Sequence, residues 1–147
     1  MCRYGESRYK PHYACFGCRK AFKRRRKEDV NASGPDRPAR CPQCGNLMAD
    51  MGLDFAPPKA RDEVAWRVLG ELWTLGETFH SCGCGGPGYR PRSPAGYQEF
   101  LLEIRSRYAG FLRTWQGSGS NDRDVAMATW RERISRVDAA IAALRLT

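Results

Sequence analysis

The chain has 147 residues, room for one ordinary domain or for a small module with a helical extension, and its 25 Lys/Arg against 16 Asp/Glu give a formal charge of +9. A mean hydropathy of −0.62 leaves enough apolar residues for a core but no surplus, and no run of roughly 18 apolar residues is present to cross a membrane. Behind Met1-Cys2-Arg3-Tyr4-Gly5 there is no apolar stretch of the signal-peptide kind, so the seven cysteines are expected in a reducing cytoplasm, where CxxC pairs hold metal or do redox work.

Residues 1–55 read as a zinc ribbon of short strands built round two cysteine turns, Cys15-Phe16-Gly17-Cys18 and Cys41-Pro42-Gln43-Cys44, with 22 residues between them. Each turn presents two thiolates. Two such turns facing each other supply the tetrahedron of soft donors that Zn2+ takes, with no open position for water or substrate. Pro42 pre-sets the second turn, and Gly45 tolerates the strained backbone after it. Tyr13, Phe16 and Phe22 lie near the first turn and are expected to cover the metal. A rubredoxin-type iron site uses the same four ligands and stays open as an alternative. A thioredoxin-like redox pair fits less well, because neither CxxC opens a helix within a βαβ unit.

Positive charge is concentrated in the same part of the chain. Residues 1–60 hold 13 Lys/Arg against 6 Asp/Glu, and residues 61–147 hold 12 against 10. Between the cysteine turns, Lys20, Lys23, Arg24, Arg25, Arg26 and Lys27 follow Arg19, interrupted only by Ala21 and Phe22. Such a run repels itself, and a phosphate backbone would relieve that repulsion and release counterions. Phe22, Tyr13 and Phe16 could stack on unpaired bases, which favours RNA over a duplex that needs a recognition helix. A solvated charged loop is the plainer alternative. The polar stretch to Ala39, with Gly34, Pro35 and Pro38, reads as a mobile loop.

Residues 56–92 make a middle segment. Pro57-Pro58 blocks helix up to about residue 59, and a helix fits 60–75, with Val64, Val68, Leu69, Leu72, Trp73 and Leu75 as its apolar face and Gly76 as its C-terminal cap. Thr78-Phe79-His80 fits a short strand. His80-Ser81-Cys82-Gly83-Cys84 then opens a Gly/Pro-rich loop, and with Cys2 or His12 brought near it offers donors for a second metal. Its bland reading is a glycine turn whose cysteines pack as small apolar groups. Nothing supplies a third orienting group for a catalytic Cys–His pair, so no catalytic residue is assigned.

Residues 93–147 predict an antiparallel helical hairpin. Ser93-Pro94 matches an N-cap with proline at the first helical position. Tyr97, Leu101, Ile104, Tyr108, Phe111 and Trp115 recur at steps of four and three. Gly117-Ser118-Gly119-Ser120 breaks the helix, Asn121 or Asp122 caps the next, and Met127, Trp130, Ile134, Val137, Ile141 and Leu144 repeat the alternation.

The motifs Cys15-x-x-Cys18, Cys41-Pro42-x-Cys44-Gly45, Met51-Gly52-Leu53-Asp54-Phe55-x-Pro57-x-Lys59 and Ser81-Cys82-Gly83-Cys84-Gly85-Gly86-Pro87-Gly88 resemble a family of small, largely uncharacterised bacterial zinc-ribbon proteins over about residues 1–94. The resemblance implies a zinc ribbon without an established substrate; the hairpin lies outside it. Some relatives bear the name deoxyxylulose-phosphate synthase. This chain contradicts that name, being far shorter than such a thiamine-diphosphate enzyme and lacking a Gly-Asp-Gly signature.

The expectation is an α+β protein with a zinc ribbon, a middle helix and a C-terminal hairpin. Cys15, Cys18, Cys41 and Cys44 hold one Zn2+, and the basic run contacts RNA or a ribonucleoprotein. Two alternatives stand beside it: an adaptor that binds a protein partner or a second copy through the hairpin, and a thiol redox or metal-handling protein using Cys82 and Cys84.

Overall fold

In the computed structural model, which describes residues 10–25, 27–31, 33–35, 37–77 and 91–145, the first cysteine turn is the bend of a hairpin. Strand β1 (His12–Cys15) passes through residues 16–19 and returns as β2 (Lys20–Lys23), with Tyr13 opposite Phe22 and Cys15 opposite Lys20. Strand β3 (Ala49–Gly52) pairs antiparallel with the other edge of β1, giving the order β2-β1-β3. The register slips along this pair: His12 faces Gly52 while Tyr13 faces Asp50, which leaves Met51 as a bulge. Gly52 takes φ +89°, and its N–H donates to Asp50 Oδ1 at 3.0 Å. The bulged Met51 is fully buried.

Helix α1 (Lys27–Asn31) is a single short turn inside the stretch expected to be a loop. The expectation of strands without helix across residues 1–55 is corrected at this point.

Helix α2 (Glu63–Thr74) begins three residues later than the periodicity suggests. Asp62 sets the start: its side chain accepts from the Ala65 N–H at 3.1 Å, and its own N–H reaches back to the Lys59 carbonyl. The end follows the expected glycine. Gly76 adopts φ +83°, its N–H donates to the Trp73 carbonyl, and the Glu77 N–H donates to Leu72, closing a Schellman motif. Ala65, Trp66, Val68, Leu69 and Leu72 are buried, whereas Val64 and Trp73 lie on the exposed side. The apolar face is therefore rotated toward Ala65 and Trp66 relative to the one read from the sequence.

The chain divides into two compact units, residues 1–90 and 91–147. In the first, α2 lies over the ribbon. Trp66 meets Phe16 edge-on at 6.2 Å between ring centroids and Phe55 at 6.4 Å, and its indole N–H donates to the Lys59 carbonyl. Thr78-Phe79-His80, the suggested strand, lies outside the described residues.

The second unit is the helical hairpin. Helix α3 (Pro94–Gln116) starts at Ser93, whose hydroxyl accepts from the Gly96 N–H at 3.2 Å, and ends at Gly117; α4 (Arg123–Arg145) returns alongside it. Tyr97, Phe100, Leu101, Ile104 and Tyr108 are buried on α3, and Val137 on α4. Trp130 packs against Tyr108 and Phe111, with the Arg133 guanidinium 5.2 Å from its ring centre. Arg105 forks onto the Asp138 carboxylate across the pair.

Candidate metal centre

The two cysteine turns meet. One sulfur of each of Cys15, Cys18, Cys41 and Cys44 lies within 4.8 Å of all the others, and among the described residues this is the one cluster of metal-ligand type. Cys15 Sγ is 3.6 Å from Cys44 Sγ, and Cys41 Sγ is 3.9 Å from Cys18 Sγ. Four sulfurs held about 2.3 Å from one tetrahedral Zn2+ would stand about 3.8 Å apart, so these two distances bracket the spacing the ion needs. All four thiols are free, and the two sulfur distances are far longer than the ~2.05 Å of a disulfide. Donor set and spacing fit a divalent ion.

Local backbone chemistry builds each turn. In the second, the Gly45 N–H donates to the Cys41 carbonyl and the Cys41 N–H to the Asn46 carbonyl, both at 2.8 Å, while the Gln43 N–H points at Cys41 Sγ at 3.4 Å. Gly45 at φ +76° makes the bend possible. The residue at the matching place in the first turn is Arg19, also left-handed at φ +53° although it carries a side chain. Such a conformation costs about 1–2 kcal/mol. Contacts across to α2 offset that strain: Arg19 Nε donates to the Ala60 carbonyl at 2.8 Å, and its guanidinium pairs with Glu63 at 3.2 Å. A side chain that ties the first turn to the start of α2 went unnoticed in the sequence, where the missing glycine after Cys18 was its one signal.

The thiols are not equivalent. Burial pushes the Cys15 thiol up. Cys18 is pushed up to about 12 by its hydrogen bond to the Cys44 side chain and by burial. Burial also works against ionisation of Cys41, but the backbone N–H groups of Cys44 and Gln43, together with the Cys15 and Cys44 thiols, outweigh it and bring this thiol down to about 7. Cys41 is thus the thiol of the cluster that ionises most readily near neutral pH, and further protons would leave on binding a cation. Cys15 and Cys41 are buried, Cys18 is half-buried and Cys44 exposed, so the centre opens to solvent on the Cys44 side.

Other expected residues fall elsewhere. His12, suggested for a second metal, sits on β1 with its ring Nδ1 3.3 Å from the Gly52 carbonyl and its ring in a T-shaped contact with Phe55, outside the cysteine cluster. Cys2, His80, Cys82, Cys84 and Arg26 lie outside the described residues, as does the Lys27 side chain. Of the aromatic residues expected over the metal, Phe16 packs on Trp66 and beside Gly70, while Tyr13 lines a cleft with Arg24 and Arg25. Lys20 Nζ donates to Gln43 Oε1 at 2.5 Å, joining β2 to the second turn.

No protein-family model, curated protein or solved structure matches the chain. The class defined by fold and site is therefore a small antiparallel sheet carrying a four-cysteine, ribbon-like metal cluster, followed by helices and a close C-terminal helix pair. Among the described residues no helix is long and apolar enough to cross a membrane.

Proposed function

We propose that the protein is a non-enzymatic metal-binding ribbon whose four thiolates hold one structural zinc, in keeping with the zinc-ribbon family that its motifs resemble. The observation that carries this reading is the pair of sulfur distances, 3.6 and 3.9 Å, around a point reached by all four cysteines. When bound, the ion supplies cross-linking and charge neutralisation: it fastens the β1–β2 bend to the 41–44 turn, and its binding free energy becomes folding free energy.

The chain's own residues complete the centre. Gln43 and Cys44 N–H groups stabilise the Cys41 thiolate, Arg19 anchors the first turn to α2, and Phe16 shields it against Trp66. A thiol- or metal-handling role is the reading that such a cluster supports after a purely structural one. Contact with RNA through the basic run is weaker, because Lys20 is engaged with Gln43 and cannot serve a continuous phosphate track without giving up that bond.

Elemental analysis of reduced, chelator-washed protein tests the proposal. One zinc per chain is expected, and it should be lost in Cys41→Ser/Cys44→Ser. Two ions per chain would bring Cys82 and Cys84 into play; iron with thiolate charge-transfer colour, or a folded ribbon with no metal, would overturn the zinc assignment.

A further inference from the structure

Three arginines that the sequence places in two different segments converge on one cleft of the first unit. The cleft holds about 380 Å³ and is walled by Arg24 and Arg25 at the end of β2, Asn31 of α1, Pro35 and Arg37 of the following loop, and Tyr13 of β1. That volume lies within the roughly 300–1,000 Å³ typical of small-molecule sites. None of the three guanidinium groups makes an ion pair or side-chain hydrogen bond with any described residue, although Arg19, Arg105, Arg123 and Arg136 each pair with a carboxylate.

Three like charges that no described carboxylate pairs repel one another around this concavity, and a multiply charged anion seated there converts that repulsion into attraction. Guanidinium forks suit phosphate oxygens in particular. The rest of the wall is of another kind: it includes the aromatic Tyr13, Pro35, and Asn31, whose amide oxygen accepts from the Ser33 hydroxyl at 3.4 Å.

We propose that this cleft binds a small phosphate ester with a flat body, of the nucleoside diphosphate class, its phosphates on Arg24, Arg25 and Arg37 and its ring against Tyr13. A polynucleotide suits it less well. Lys20 and Lys23 stand three apart on one strand and so point to opposite faces, and Lys20 is held by Gln43. Among the described side chains of the basic run, Arg24 and Arg25 line the cleft, whereas Lys20 and Lys23 do not. The proposal is independent of which ion the cysteines hold.

Calorimetric titration of the metal-loaded full chain with ADP, inorganic phosphate and a short single-stranded RNA tests it. Saturable binding of one ADP per chain is expected, with inorganic phosphate competing but weaker. Losing one charged fork should cost about tenfold in affinity, so Arg37→Ala and Arg25→Ala should each weaken ADP by that much while metal content and melting temperature hold. Arg25→Ala serves if Arg37→Ala disturbs the loop. No ADP heat at millimolar concentration would overturn the proposal, as would ADP affinity unchanged from the unsubstituted chain in both variants. RNA binding that ADP fails to displace would overturn it in favour of an extended polyanion surface.

Discussion

Arg19 and Gly45 hold the same place in the two cysteine turns, each directly after the second ligand and each left-handed. Glycine takes that backbone without strain; arginine does so because its side chain reaches Ala60 and Glu63. At the same scale, Cys41 differs from its neighbours through two backbone N–H groups aimed at its sulfur. Its thiol loses a proton at about 7, below the ordinary 9.0, whereas Cys15 and Cys18 are held above it. Metal affinity must therefore rise with pH, since protons leave as the ion binds. The slope of log affinity against pH should fall by one proton as pH passes upward through about 7, where Cys41 is already ionised. Competition titrations with a chromophoric chelator between pH 6 and about 8 would read this. A slope constant across that window would show that no thiol of the site, Cys41 included, titrates there.

Helix α2 is the element that joins local sequence to the centre, and the glycine within it and the one just past its end have opposite roles. A Cβ built on Gly70 would meet the Phe16 ring at 3.6 Å, an ordinary contact, and Gly70 lies within the helix. Gly70→Ala should stabilise the protein by up to about 1 kcal/mol, through helix propensity and added contact. Gly76 sits at φ +83° in the Schellman turn. Gly76→Ala should destabilise by about 1 kcal/mol for want of a compatible backbone. Urea denaturation of both variants gives the two signs, and a loss of stability on Gly70→Ala would mean that Phe16 has no room to accept a methyl group.

At the scale of the whole molecule, all four cysteines of the candidate metal centre belong to residues 1–90, and the hairpin contributes no residue to it. Chelation should accelerate amide exchange in β1, β2, β3 and the two cysteine turns, because an ion held by the four cysteines would cross-link those turns. In α3 and α4 protection should persist, since their buried Leu101, Ile104 and Val137 and the Arg105–Asp138 fork do not depend on metal. Exchange mass spectrometry with and without chelator measures this. Equal acceleration everywhere would mean that the two units unfold as one.

The sequence by itself determined whatever depends on a few consecutive residues. CxxC spacing defines two-thiolate turns, Ser93-Pro94 opens α3, Gly76 ends α2, and Gly117 to Ser120 parts the two long helices. Capping and turn chemistry act over three or four residues and survive any tertiary arrangement. Tertiary structure alone decided the non-local relations. It rotated the buried face of α2 toward Trp66, placed the bulge at Met51, tied Arg19 to α2 and brought Arg37 beside Arg24 and Arg25. Each of these follows from strand register and from which helix face meets the sheet, and hydrophobic spacing along one segment carries neither.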